Sequence, residues 1–138
     1  MGRLIPGRLL APGEARGTAL VSREPLSFWG GYDAATGEII DRAHPLAGER
    51  AAGRVLVLPF SRGSSTGTAI LLEAIRRGTA PAAIIVGQPD AFFALAAVVG
   101  EEMYGTRLPV VVIDEARLAE IGTGDTITID ATGALSVA

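Results

Sequence analysis

Three short aliphatic runs in the second half of this chain constrain its fold more than anything else in it. Arg54-Val-Leu-Val-Leu-Pro59 is bounded by Gly53 and Pro59, Ala82-Ala-Ile-Ile-Val86 follows Pro81, and Pro109-Val-Val-Val-Ile113 is the third. None alternates between apolar and polar positions, so each reads as a strand buried on both faces. Residues 68–77, between the first two runs, form a helical stretch with polar capping residues before it. Arg76 and Arg77 stand in its last turn and Gly78 stops it. A second helix is predicted over 90–104, opening at Pro89-Asp90 and ending at Gly105. A short helix at 115–121 follows the third run, and 125–130 with 134–137 predict a closing hairpin around Ala131-Thr132-Gly133. Strands that alternate with helices imply right-handed crossovers and a largely parallel sheet.

The first half has a different rhythm. Residues 18–21 read as a strand, and Ser27-Phe28-Trp29 as the end of another before Gly30-Gly31. Residues 38–41 follow the turn signal Asp33-Ala-Ala-Thr-Gly37. The expected class is therefore α/β, a β-rich first half packed with a βαβαβ second half. At 138 residues this fits a single domain over 1–138, with no repeat, low-complexity stretch or linker.

Composition removes several function classes. Every basic residue is an arginine, the twelve are scattered, and the net charge is −3, so nucleic acid is not an expected partner. With no cysteine and only one histidine, His44, the chain offers no thiolate site and no self-contained zinc site, so no metal is expected on it. The opening MGRLIPGRLL is too short and too interrupted to be a signal peptide. The longest apolar stretch, 91–100, is about half of the ~20 residues a membrane span needs. A cytoplasmic protein without membrane contact is the expectation.

The loop Ser61-Arg62-Gly63-Ser64-Ser65-Thr66-Gly67 leaves the first buried strand and enters the helix. Ligands of open α/β sheets bind beyond the carboxyl ends of the strands, which is where this loop falls. Gly63 and Gly67 let backbone N–H groups approach a ligand, and the helix N-terminus adds unpaired donors and partial positive charge. Ser64, Ser65 and Thr66 supply hydroxyls, and Arg62 a forked cation suited to carboxylate or phosphate. Helix capping uses the same residue types, but one hydroxyl suffices for a cap and this loop has three in a row.

Other chemistries fit less well. A P-loop needs a lysine, and the chain has none. Gly63-Ser64-Ser65-Thr66-Gly67 matches the G-x-S-x-G elbow of serine hydrolases, with Ser65 as nucleophile, but the single His44 precedes the serine where those enzymes place theirs after it. His44-Pro45 reads as a turn. Trp29, beside Gly30 and Gly31, is either a core aromatic or part of a pocket or subunit interface. Asp33, Glu38 and Asp41 read as solvated turn positions, Glu101-Glu102 as an exposed helix end, and Phe92 and Phe93 as core.

Taken together, these elements resemble the small subunit of the aconitase X family of hydro-lyases. The matching pieces are Gly13-Glu-Ala-Arg-Gly-Thr-Ala-Leu20, Pro25-Leu-Ser-Phe-Trp-Gly-Gly31, Thr36-Gly-Glu-Ile-Ile40 with His44-Pro-Leu-Ala-Gly48, Arg62-Gly-Ser-Ser-Thr-Gly67 and Thr79-Ala-Pro-Ala-Ala83, in family order. The resemblance implies a swivelling β/β/α domain and a heterodimer with a large subunit that carries an iron–sulfur cluster. It implies that Ser64 is the catalytic base, with Arg62, Gly63, Ser65 and Thr66 as the substrate-binding neighbours of that base. In aconitase itself an arginine follows the two serines, whereas here Thr66 follows and Arg62 precedes. The implied reaction is loss of water from a small hydroxylated carboxylic acid. The all-arginine basic set, a hint of a GC-rich bacterium, puts cis-3-hydroxy-L-proline ahead of mevalonate 5-phosphate. A non-catalytic anion-binding module using the same loop is the reading from a different class.

Overall fold

The computed structural model describes residues 2–63 and 65–138. Among them the strands are β1 (Arg3–Ile5), β2 (Arg8–Ala11), β3 (Ala15–Val21), β4 (Tyr32–Asp33), β5 (Glu38–Ile39), β6 (Val55–Leu58), β7 (Ala83–Val86), β8 (Val110–Val112), β9 (Thr126–Ile129) and β10 (Leu135–Val137). The α-helices are α1 (Ser65–Arg77) and α2 (Ala91–Tyr104), with a 3₁₀ segment at Glu115–Glu120.

Eight strands form one sheet in the order β1-β10-β9-β3-β6-β7-β8-β2, while β4 and β5 pair as a separate hairpin. β3, β6, β7 and β8 run parallel, as the strand-helix alternation predicts. The outer pairings β2·β8, β3·β9, β9·β10 and β1·β10 are antiparallel, so the sheet is mixed rather than largely parallel. β3 joins the two regimes. Its Ala15–Thr18 stretch pairs with β9, and its Ala19–Val21 stretch pairs with β6.

Burial on two faces follows from strand alternation. Leu56 and Leu58 of β6, with Leu20, Ile84, Val86 and Val110, pack beneath Leu71, Ala74, Ile75, Phe93, Ala96 and Ala97 of the helices. Val55 and Val57, with Ala19, Ala83, Ile85 and Val111, pack against Ile127, Ile129, Leu135, Val137 and Ile5. The antiparallel end of the sheet thus covers one face of the parallel strands and the helices cover the other, a β/β/α arrangement. No helix among the described residues is long and apolar enough to cross a membrane.

Several local expectations change. The opening residues form β1 and β2 around Pro6-Gly7, edge strands too short for a periodic signal. Residues 27–29 are not a strand, because the Phe28 carbonyl accepts N–H bonds from Gly31 (3.3 Å) and Tyr32 (3.2 Å) and the chain turns there. α1 begins at Ser65 rather than at 68, so Ser65, Thr66 and Gly67 belong to its first turn.

Leu56 is fully buried at the centre of the helix-side core. Leu56→Ala is expected to lower unfolding free energy by about 2–5 kcal/mol, measured by chemical denaturation with unchanged far-UV circular dichroism.

Candidate functional site

The loop after β6 is held by backbone bonds at three successive steps. The Pro59 carbonyl accepts the Gly87 N–H (3.0 Å), tying this loop to the one that leaves β7. The Ser61 N–H donates to Asp90 Oδ2 at 2.7 Å. The Arg62 N–H donates to the Leu26 carbonyl (3.1 Å), and Leu26 and Ser61 form a parallel bridge. The segment before the Phe28 turn, the serine loop and the start of α2 therefore meet at the carboxyl ends of β6 and β7.

Aromatic side chains floor this junction. Phe28 stacks on Tyr32 (centroids 4.5 Å apart, planes at 10°) and meets Phe93 edge-on at 5.3 Å. The Tyr32 hydroxyl donates to the Thr79 carbonyl at 2.7 Å, and burial pushes its phenol well above the usual tyrosine range. It is held neutral and structural. The Thr68 hydroxyl of α1 donates to the Phe92 carbonyl (3.4 Å), which brings the N-terminal turns of α1 and α2 side by side.

Gly63 is in this loop for steric reasons. A Cβ there would overlap the ring of Phe92, so glycine lets the loop lie against α2 with that ring in place, and any larger residue would push it aside. Phe92, expected in the core, is instead 40% exposed and roofs Gly63, while Phe93 is buried as expected. Beneath the loop lies a hollow of about 10 Å³, bordered by Phe28, Ser61 and Phe93, no larger than one water needs. The Ser61 hydroxyl is buried there with no hydrogen-bond partner among the described residues.

Arg62, Gly63, Ser65 and Thr66 are brought together, all solvent-exposed, at or just before the first turn of α1. Arg62 has no ion-pair partner among the described residues. Ser64 lies outside the described residues. The arrangement presents a cation, hydroxyls and a helix N-terminus to solvent without enclosing a substrate. Chemically that is an anion-binding edge.

Trp29 is 64% exposed on the turn that carries Phe28, so the core reading of this tryptophan is excluded. Gly30 takes a left-handed φ of 74°, and a Cβ at Gly31 would strike the Ser27 carbonyl, which explains the glycine pair. His44 is buried in its own turn, and its Nδ1 accepts the Leu46 N–H (3.1 Å) while Nε2 has no partner among the described residues. Among the described residues neither nitrogen meets a serine hydroxyl, so the hydrolase reading of Ser65 has no base there. A wider cleft of about 570 Å³ lies between Pro6–Arg8 and residues 112–117, but its Arg117 is already paired with Glu120 at 2.8 Å. Among the described residues no three His, Asp or Glu side chains converge to hold a metal ion.

Comparison with known proteins decides the family. Residues 4–137 match the model of the aconitase X swivel domain. The chain belongs to that family. It is 48% identical to a cis-3-hydroxy-L-proline dehydratase of Pseudomonas aeruginosa over 81% of this chain and 19% of that one. It is 42% identical to the phosphomevalonate dehydratase small subunit of Methanopyrus kandleri, over 80% of this chain and 78% of that one. The crystal structure of Thermococcus kodakaraensis aconitase X in its holo-form superposes with a TM-score of 0.88 at 32% identity, covering 99% of both chains. The chain thus spans about a fifth of the length of the hydroxyproline dehydratases it matches, yet most of the length of the small subunits.

The Asp90 contact with Ser61 was not expected from the sequence. Pro89-Asp90 signals a helix cap, but a cap signal does not reveal a partner 29 residues away. Adding a methyl group at position 63 tests the close packing. Gly63→Ala is expected to cost about 1–3 kcal/mol of stability by overpacking. Adding Phe92→Ala to it is expected to return part of that loss, measured as non-additivity in a double-mutant cycle of denaturation midpoints.

Proposed function

We propose that this chain is the small, swivel-domain subunit of an aconitase X-type dehydratase, acting with a large subunit to remove water from a hydroxylated carboxylic acid. The observation that carries the reading is the exposed group Arg62, Gly63, Ser65 and Thr66, poised at the strand ends beside two helix N-termini yet, among the described residues, enclosing no cavity large enough for a substrate. It has the character of half an active site. The split among its relatives supports this: some carry the equivalent segment within a chain about five times longer, and others carry it as a separate small subunit. The exposed apolar side chains Trp29, on the turn that carries Phe28, and Phe92, over Gly63, suit a surface that a second chain covers. We read residues 1–138 as one swivel-type domain.

In this reading Ser64 is the base. Its deprotonated oxygen takes the proton from the carbon beside the substrate carboxylate, and the hydroxyl on the next carbon departs, so that the elements of water are lost and a double bond forms. A serine hydroxyl is a weak acid, and its alkoxide needs neighbouring N–H donors and a positive electrostatic environment. The first turn of α1 is such an environment. Arg62, the N–H groups of this turn, and the Ser65 and Thr66 hydroxyls hold the substrate's anionic group, with Gly63 allowing close approach.

An iron–sulfur cluster does not fit this chain, which has no cysteine. We assign the cluster to the large subunit. The 48% identity to the P. aeruginosa enzyme favours cis-3-hydroxy-L-proline as substrate. Mevalonate 5-phosphate is the second reading, favoured by the match in chain length to the archaeal small subunits.

Co-purification with its large subunit and assay on both substrates tests the proposal. Ser64→Ala is expected to lower kcat by about 10²–10⁴-fold, the range for loss of a general base, with assembly unchanged by gel filtration. Arg62→Gln is expected chiefly to raise KM. Full activity of Ser64→Ala would refute the base assignment, and comparable turnover by this chain alone would refute the two-subunit model.

A further inference from the structure

We propose that Asp90 is a positioning residue for the serine loop, acting through Ser61; its catalytic consequence rests on the dehydratase reading. The Asp90 carboxylate is buried at 6% exposure and works at both oxygens. Oδ1 accepts the N–H groups of Phe92 and Phe93, each at 3.1 Å, and so caps α2. Oδ2 accepts the Ser61 N–H at 2.7 Å, the short distance of a charge-assisted bond.

Capping alone does not require this residue. Serine or asparagine caps a helix about as well as aspartate. Neither can do both tasks, because serine is too short to span both partners and asparagine has one acceptor oxygen and a donating NH₂. Only a carboxylate of this length supplies an acceptor to the cap and another to the loop. The second bond fixes the backbone three residues before Ser64, immediately upstream of the point where Gly63 lies under Phe92. The start of α2 therefore holds the loop twice, by Asp90 on the backbone and by the Phe92 ring over Gly63. Both holds come from a helix rigidly packed on the core through Phe93, Ala96 and Ala97. A base that must meet a substrate carried on another chain gains from such fixing, since misplacement by about 1 Å can cost ~10²-fold in rate.

Asp90→Ser and Asp90→Asn keep the cap and remove the tether, and two measurements separate the roles. Amide hydrogen exchange at Ser61 in the full chain is expected to speed up by about 10- to 100-fold in either variant, the range for losing a hydrogen bond to a charged group. In the assembled enzyme kcat is expected to fall by about 10- to 100-fold with KM changed by less than about threefold. Phe93 amide protection is expected to stay near wild type, because the cap survives, while the thermal midpoint falls only by the few degrees that loss of the tether bond costs. Should one variant fail to fold, the other carries the test. Unchanged Ser61 exchange overturns the tether, and faster exchange with unchanged kcat overturns the positioning role. If the wild-type pair dehydrates neither substrate, the dehydratase reading falls on its own, while the Ser61 exchange rates still decide whether Asp90 holds the loop.

Discussion

Burial of β6 on both faces is the constraint on which the rest of the molecule depends. Leu56 and Leu58 point into the helix layer while Val55 and Val57 point into the second β layer. A strand with no polar side chain in its length cannot sit at an edge or face water, so both layers must close over it. A parallel neighbour requires a long return connection. Parallel pairing of β6 with β7 and of β7 with β8 follows from the crossovers through α1 and α2, while β3 reaches β6 through the long 22–54 connection that carries β4 and β5. Once those crossovers are made, every helix that follows a central strand begins at the same edge of the sheet.

That edge is where the chemistry gathers. Two helix N-termini, the exposed Arg62 and the hydroxyls of Ser65 and Thr66 all face outward from it. The sheet itself needs none of these groups. Beneath them the packing is dense: Gly63 lies against Phe92, Phe28 against Phe93, and the remaining hollow is about the size of one water. An arrangement this open on top and this tight beneath suits a site that presents its groups to something brought to it, as the proposed function requires. Family membership and the split between fused and separate relatives agree with that physical character.

Much of this was legible in the chain. The three aliphatic runs, both long helices, the turn at Asp33–Gly37 and the closing hairpin appear where periodicity and turn residues place them. These features depend on local chemistry and on apolar patterning, which a linear reading captures. The edge strands β1 and β2 escaped because three or four residues carry no usable period, and their pairing partners, such as Val137 for Arg3 and Val112 for Arg8, lie near the other end of the chain. Phe92 was misread as core because an apolar helix does not reveal which residues its neighbours leave uncovered.

By itself the sequence determined the α/β class, the location of the serine loop between a buried strand and a helix, and the absence of any thiolate ligand. Each of those is a statement about residue type and order. Tertiary structure alone decided that Asp90 reaches Ser61, that Phe92 covers Gly63, and that His44 spends its Nδ1 on its own turn. Those outcomes hang on distances of a few ångströms between segments that are remote in the chain. Such distances are set by how two packed layers meet, and no local propensity encodes them.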